Sequence, residues 1–168
     1  MIKRDREKSC CFSGYRPEKL PWRGNEDDPR CVELKEQLND TLFQLYESGT
    51  RHFICGMARG SDTYFCESVL RLRRFCTDIT IEAAIPCEDQ AAKWSEADRR
   101  RYFDLVAQCD FETYVSRQYT RDCMTKRNRY MVDNASVLIA VYDGKFGGTM
   151  YTIEYAARSG VRIIEFEP

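Results

Sequence analysis

The sequence predicts an α/β fold, an open and mostly parallel sheet with helices on both faces. Two observations carry this. Strand-like and helix-like segments alternate from residue 9 to residue 166. The strand-like segments are continuous apolar runs, SVLIAVY the clearest, as expected where helices cover both faces of a sheet. The sequence has no internal repeat, low-complexity tract or linker, so one domain over residues 1–168 is expected.

The elements follow in order. Ser9 to Ser13 (SCCFS) reads as a short buried strand ending at Gly14. A polar loop, YRPEKLPWRGNEDDP, comes next; loops of this length inside a compact domain are often functional. Asp28-Pro29 reads as an N-cap followed by proline at the first helical position. Leu34, Leu38, Leu42 and Leu45 then recur at helical spacing up to a stop at Gly49. HFIC (52–55) is a strand, and Thr63 to Arg74 a helix with Phe65, Val69 and Leu72 on one face. ITIEAAI (79–85) is a strand ended by Pro86. The mostly polar stretch 88–108 is a helix anchored by Trp94, Phe103 and Val106. Phe111 to Val115 is a strand, 122–134 a helix, SVLIAVY (136–142) a strand, 149–159 a helix stopped by Gly160, and VRIIEF (161–166) the last strand.

Composition narrows the function classes. Hydrophobic residues make up 43% of the 168 residues and charged residues 32%, enough for a core beneath a solvated surface. The formal net charge is −1, whereas chains held to nucleic acid by bulk electrostatics carry a basic excess; nucleic acid is therefore not expected as a partner. No apolar run approaches the ~18 residues of a membrane span. The charged start MIKRDREKSCCF has no apolar signal core, so a cytoplasmic protein is expected, with no membrane partner. Nine cysteines without C-x-x-C spacing and a single histidine give a metal site no support; the cysteines read as small buried hydrophobes, and no cofactor is implied. His52, just before a strand, reads as a surface residue.

In an open parallel sheet, ligands bind beyond the carboxyl ends of the strands, so the residues after each strand are the candidates. After the first strand stand Gly14, Tyr15 and Arg16. After the second runs the stretch GMARGSD: Gly56, Met57, Arg59, Gly60, Ser61 and Asp62. After SVLIAVY stands DGKFGGT, with Asp143, Gly147, Gly148 and Thr149. Glycine lets backbone approach a ligand closely, and a helix N-terminus offers free N–H groups to an anion such as phosphate. Arg16, Arg59, Arg127 and Arg129 can supply charge-assisted contacts, and Asp62 or Glu154 can accept hydrogen bonds from sugar hydroxyls. Neither glycine turn is a P-loop or G-x-G-x-x-G.

These motifs resemble a known group. ICGMARGSDTYFCESVL resembles the SG-x-ARG-x-D segment of the DprA/Smf proteins, and KRNRYMVDNASVLIAV their RNR segment. SGYRP resembles the TGYRP opening of YpsA-like proteins, and GGTMYTIEYAARSGVRII the last turn, helix and strand of the wider SLOG superfamily, which also holds the LOG nucleotide hydrolases. The resemblance covers residues 9 to 166 with the motifs in order, and fits a stand-alone YpsA-like SLOG protein best. It implies a Rossmann-like sheet and a pocket for a nucleotide-like ligand lined by Gly14 to Arg16, Gly56 to Asp62 and Gly147 to Thr149, with Arg127 and Asn128 facing it; it also implies a homo-oligomer. LOG-type hydrolases carry PGG-x-GT-x-x-E. Here the turn reads FGGTMYTIE, with Thr152 three positions after Thr149 and the glutamate at Glu154.

The expectation is therefore a module that binds a nucleotide or ADP-ribose-like small molecule at the carboxyl edge of the sheet, as sensor or sequestering protein. One alternative is a hydrolase of a nucleotide or NAD-like glycosidic bond, with Glu154 or Asp62 as acid or base. A second is single-stranded DNA binding of the DprA type, which the charge balance disfavours.

Overall fold

The computed structural model describes residues 4–168. Six strands and five α-helices follow one another as β1 (Ser9–Gly14), α1 (Pro29–Glu47), β2 (His52–Cys55), α2 (Ser61–Arg73), β3 (Thr80–Ile85), α3 (Glu96–Gln108), β4 (Phe111–Tyr114), α4 (Cys123–Asp133), β5 (Val137–Val141), α5 (Gly148–Arg158) and β6 (Arg162–Phe166). They form the predicted Rossmann-like α/β fold. The sheet order is β4-β3-β2-β1-β5-β6, and every neighbouring pair is parallel. The chain runs outward from β1 to β4, then crosses back to lay β5 against the other side of β1, with Cys10 opposite Val137 and Gly14 opposite Val141. The direction of winding thus reverses between β1 and β5, and such a switch point leaves a crevice beyond the strand ends.

Side-chain alternation explains why the strands read as continuous apolar runs. Cys10 and Phe12 face the layer of α1, α2 and α3, where Leu34, Leu38, Leu42 and Phe65 pack. Cys11 and Leu138 face α4 and α5, with Met131, Val132 and Ala156. Both faces of β1 and β5 are dry, so both sets of side chains must be apolar. Phe12 stacks on Phe65 with ring centroids 4.8 Å apart, which fixes the floor beneath the end of β1. β4 and β6 lie at the edges and are only half-buried.

Local chemistry sets the helix starts. The Asp28 carboxylate caps α1 by accepting the Arg30 N–H at 2.9 Å, with Pro29 beside it as expected. α3 begins at Glu96, eight residues later than the sequence suggested. Turns occupy the intervening stretch, and the Ser95 hydroxyl accepts the Asp98 N–H at 3.1 Å to open the helix. Arg101 on that helix bridges Glu26 and Glu67.

His52 is not on the surface. It is buried, with Nε2 2.8 Å from Glu82 Oε2. Glu82 stands in mid-strand on β3, fully buried on the α4 side of the sheet. It accepts hydrogen bonds from Thr113 and Tyr130 at 2.6 Å each and pairs with Arg4 at 2.6 Å. Burial alone would raise this carboxyl, but the donors around it outweigh burial and hold it down at about 2. All nine cysteines are free thiols and eight are buried, as expected of small hydrophobes. Among the described residues no helix is long and apolar enough to cross a membrane.

Candidate functional site

A cavity of about 330 Å³ opens at the β1/β5 switch point. Its floor is the end of β1 (Phe12, Ser13, Gly14). One wall is the loop after β1, with Tyr15, Arg16 and Lys19. The opposite wall is α4, with Met124, Arg127 and Asn128, and the start of α5, with Gly148 and Thr149, closes one end. Ala58 and Asp62 line it from the second turn.

Three elements make this shape possible. A Cβ on Gly14 would lie 2.3 Å from Ser61 Oγ, so only glycine lets β1 end this close to α2. The Tyr15 carbonyl accepts both the Ser61 N–H (3.1 Å) and the Ser61 hydroxyl (2.8 Å), pinning the loop after β1 to the first turn of α2. The Tyr15 hydroxyl donates to Asp143, which holds the same loop to the turn after β5.

The N-termini of α2 and α5 therefore differ in use. α2 has already spent its leading N–H group on Tyr15. α5 is capped by Gly147, which has no side chain to offer, and its first paired N–H is that of Tyr151, on the Gly147 carbonyl at 3.2 Å. Gly148 and Thr149, in the first turn of α5, line the cavity. Free N–H groups and the positive end of the helix dipole suit this end of α5 to an anion.

Arg127 and Asp62 supply buried charge. The Arg127 side chain is 4% exposed and donates to the Gly56 and Ala84 carbonyls. A Cβ on Gly56 would meet Arg127 Nη1 and Asp62 Oδ2 at 2.9 Å each, so the two charged groups flank a position only glycine fills. Asp62 accepts the Ala58 N–H at 3.1 Å. Burial pushes its carboxyl up to about 6, against the pull of Arg127, the Ala58 N–H and Arg16. Burial lowers the Arg127 guanidinium and Arg16 adds to this, while Asp62 opposes it. Arg16 and Lys19 are exposed at the rim beside Glu18.

Of the residues singled out in the sequence, Gly14, Tyr15, Arg16, Asp62, Arg127, Asn128, Gly148 and Thr149 meet at this cavity. The others have different work. Met57 is buried in the core on the α2 side, in a left-handed backbone conformation (φ 61°). Arg59 points away and pairs with Glu18 at 2.6 Å. Gly60 does not line the cavity; a Cβ there would lie 2.8 Å from the Tyr15 carbonyl, so its glycine serves loop packing. Ser61 is spent on Tyr15 and Asp143 on Tyr15 and Lys145, while Gly147 lies under Lys19. Glu154 is exposed on α5 and lines no part of the cavity, which removes it as an acid or base there; Thr152, nearer the turn, is buried and donates to the Gly148 carbonyl. Cys55 and Cys87 are buried thiols raised by burial, Cys87 to about 12, and are not poised as nucleophiles. The residue types alone did not mark Lys19 and Met124. The length of the loop that carries Lys19 was the one signal for it.

Comparison with known proteins agrees with this fold. The model of the YspA SLOG family matches residues 10–162. A UPF0398 protein of Bacillus pumilus is 26% identical over 84% of this chain and 77% of its own length. The SPbeta prophage-derived protein YoqJ of Bacillus subtilis is 28% identical over 79% of this chain and 85% of its own. Among solved structures, DNA processing protein A (DprA) from Streptococcus pneumoniae superposes with a TM-score of 0.63 at 14% identity, over 95% of this chain and 50% of that protein. DprA from Helicobacter pylori, described for its single-stranded DNA binding mode, gives 0.63 at 14% over 94% and 64%. This chain thus spans half to two thirds of those proteins.

The solved neighbours overturn one expectation. Nucleic acid was set aside on the near-zero net charge, yet the fold is shared with DNA processing proteins. Net charge averages over the whole surface, whereas phosphate contacts need only a local basic rim, and Arg16 and Lys19 form one here above the buried Arg127.

Proposed function

The chain belongs to the YspA SLOG family, and from that premise we propose that it binds a nucleotide by its phosphate and ribose in the cavity at the β1/β5 switch point. The carrying observation is that the start of α5 and the buried Arg127 and Asp62 line one cavity. In this reading the phosphate lies against the Gly148 and Thr149 N–H groups and Arg127, with Arg16 and Lys19 at the mouth. The Asp62 carboxylate accepts a ribose hydroxyl. The cavity joins an anion seat to a nearby acceptor, which is the polarity of a sugar phosphate.

The test is a titration with AMP by calorimetry between pH 5 and pH 8, on the wild type and on Asp62→Asn. Ionised Asp62 accepts a hydroxyl more strongly than the protonated acid, and its carboxyl sits at about 6 in the folded protein. The wild type is expected to lose affinity as pH falls through about 6. The phosphate of AMP titrates in the same range, so the difference between the two proteins isolates Asp62. Asp62→Asn is expected to bind more weakly at pH 8 and to lack the Asp62 step. Coincident profiles would remove Asp62 from the ribose role, and absence of binding at every pH would overturn the reading.

A second reading rests on the Helicobacter pylori neighbour, which covers 94% of this chain: the same cavity would hold a phosphate of a single strand. A short oligo-dT separates the two. A strand contacting Z phosphates loses affinity with salt at a log–log slope of about −0.7Z, whereas one seated mononucleotide gives a shallow slope.

A further inference from the structure

The phosphate-and-ribose reading leaves an aromatic base without a surface. The aromatic rings on the main cavity wall, Phe12 and Tyr15, are buried; Tyr15 is tied to Asp143, and the Lys19 ammonium lies 5.5 Å over its ring. A second compartment of about 210 Å³ adjoins the cavity between α4 and α5. Met124, Asn128 and Gly148 belong to both walls, so the two spaces meet across the start of α5. An added Cβ on Gly148 would meet nothing within 4 Å, so the junction is open.

The walls of the second compartment differ in chemistry from the first. Tyr151 is 52% exposed, and its ring meets the exposed Phe146 ring edge-on at 5.4 Å. Tyr155 donates its hydroxyl to Asp133 at 2.8 Å, which fixes the ring, and the Arg129 guanidinium lies 5.3 Å over it. Arg158 completes the wall. Aromatic faces and planar guanidinium groups are the surfaces on which nucleobases stack. Tyr151 stands about one helical turn along α5 from Gly148, and it and its edge-on neighbour Phe146 both remain exposed.

We propose that this compartment takes the base of the bound nucleotide. The ligand is then a nucleoside phosphate that bridges the two spaces across Gly148, phosphate at the head of α5 and base against Tyr151. This rests on the phosphate-and-ribose reading, and ribose 5-phosphate separates the two because it fills only the main cavity.

The experiment compares AMP with ribose 5-phosphate by calorimetry on the wild type, Tyr151→Ala and Tyr151→Trp. Residue 151 is exposed, so both variants fold. The wild type is expected to bind AMP at least about fivefold more tightly than ribose 5-phosphate, the lower end for one stacked base. Tyr151→Ala should bring AMP down to the level of ribose 5-phosphate and leave ribose 5-phosphate unchanged, and Tyr151→Trp should keep the advantage of AMP. An alanine variant that loses no AMP affinity, or loses both ligands equally, overturns the base site. Ribose 5-phosphate binding with no advantage for AMP overturns the base site and leaves the phosphate-and-ribose reading standing. Binding of neither ligand overturns both.

Discussion

Replacing Glu82 by alanine is expected to destabilise the protein by about 3–5 kcal/mol at neutral pH, the range for removing one member of a buried ionic cluster. Four groups converge on this carboxylate: His52 on Oε2, and Thr113, Tyr130 and Arg4 on Oε1. The carboxylate is fully buried, so none of its oxygens is left to water. Alanine removes the acceptor of every donor and leaves a void between β3 and α4. The buried His52 and Tyr130 groups then bear the cost of unmade hydrogen bonds. Glu82→Gln keeps an oxygen for the Thr113 and Tyr130 hydroxyls, removes the charge, and should cost less than alanine. The same group makes the wild type acid-sensitive. Its folded value of about 2 lies below the ordinary 4.5, so the stability it contributes is present above about 4.5 and lost as pH falls toward 2. Urea unfolding at pH 7 measures the first effect, and a series from pH 6 to pH 3 the second. A loss below about 1 kcal/mol in the alanine variant would mean that the cluster is no stronger than one ordinary hydrogen bond.

Arg127→Met is expected to reduce AMP affinity by at least about tenfold, since charge-assisted hydrogen bonds contribute about 1.5–3 kcal/mol. It should also destabilise the fold, because the Gly56 carbonyl loses its donor and Asp62 its buried counter-charge. Without that cation the Asp62 carboxyl should rise above its present value of about 6. Stability tied to a raised carboxyl is present at low pH and lost as pH rises through the folded value, so Arg127→Met should be weaker at pH 8 than at pH 5 relative to the wild type. The double variant Asp62→Asn/Arg127→Met separates the two roles. It should recover much of the stability at pH 8 and none of the affinity. Recovery of binding in the double variant would mean that Arg127 serves Asp62 alone and never the ligand.

The sequence made the fold legible wherever one physical signal dominated. Long apolar strands and leucine-spaced α1 follow from burial on two faces and one face respectively. α3 was misjudged because the turns before Ser95 are as polar as the helix that follows. The cavity was half legible. The positions after β1 and β5 are open because the switch point makes a crevice there. GMARGSD and DGKFGGT read as two equivalent cradles, yet Gly60 and Ser61 are consumed in holding the Tyr15 loop, and it is Gly148 and Thr149 that line the cavity. Which helix N-terminus stays unspent depends on a contact between residues 46 apart in sequence, which no local pattern encodes. Glu82 was hidden for the same reason: its partners come from β2, β4, α4 and the segment before β1.

The central claim is that the head of α5 and the buried Arg127–Asp62 pair form one phosphate-binding cavity. The most direct measurement is the change in backbone amide NMR shifts when AMP is added. The largest changes are predicted at Gly148 and Thr149, with Gly14, Asp62 and Arg127 next, and the amides of Gly60 and Ser61 moving less. Changes confined to other parts of the sheet, or none at ligand excess, would contradict the account.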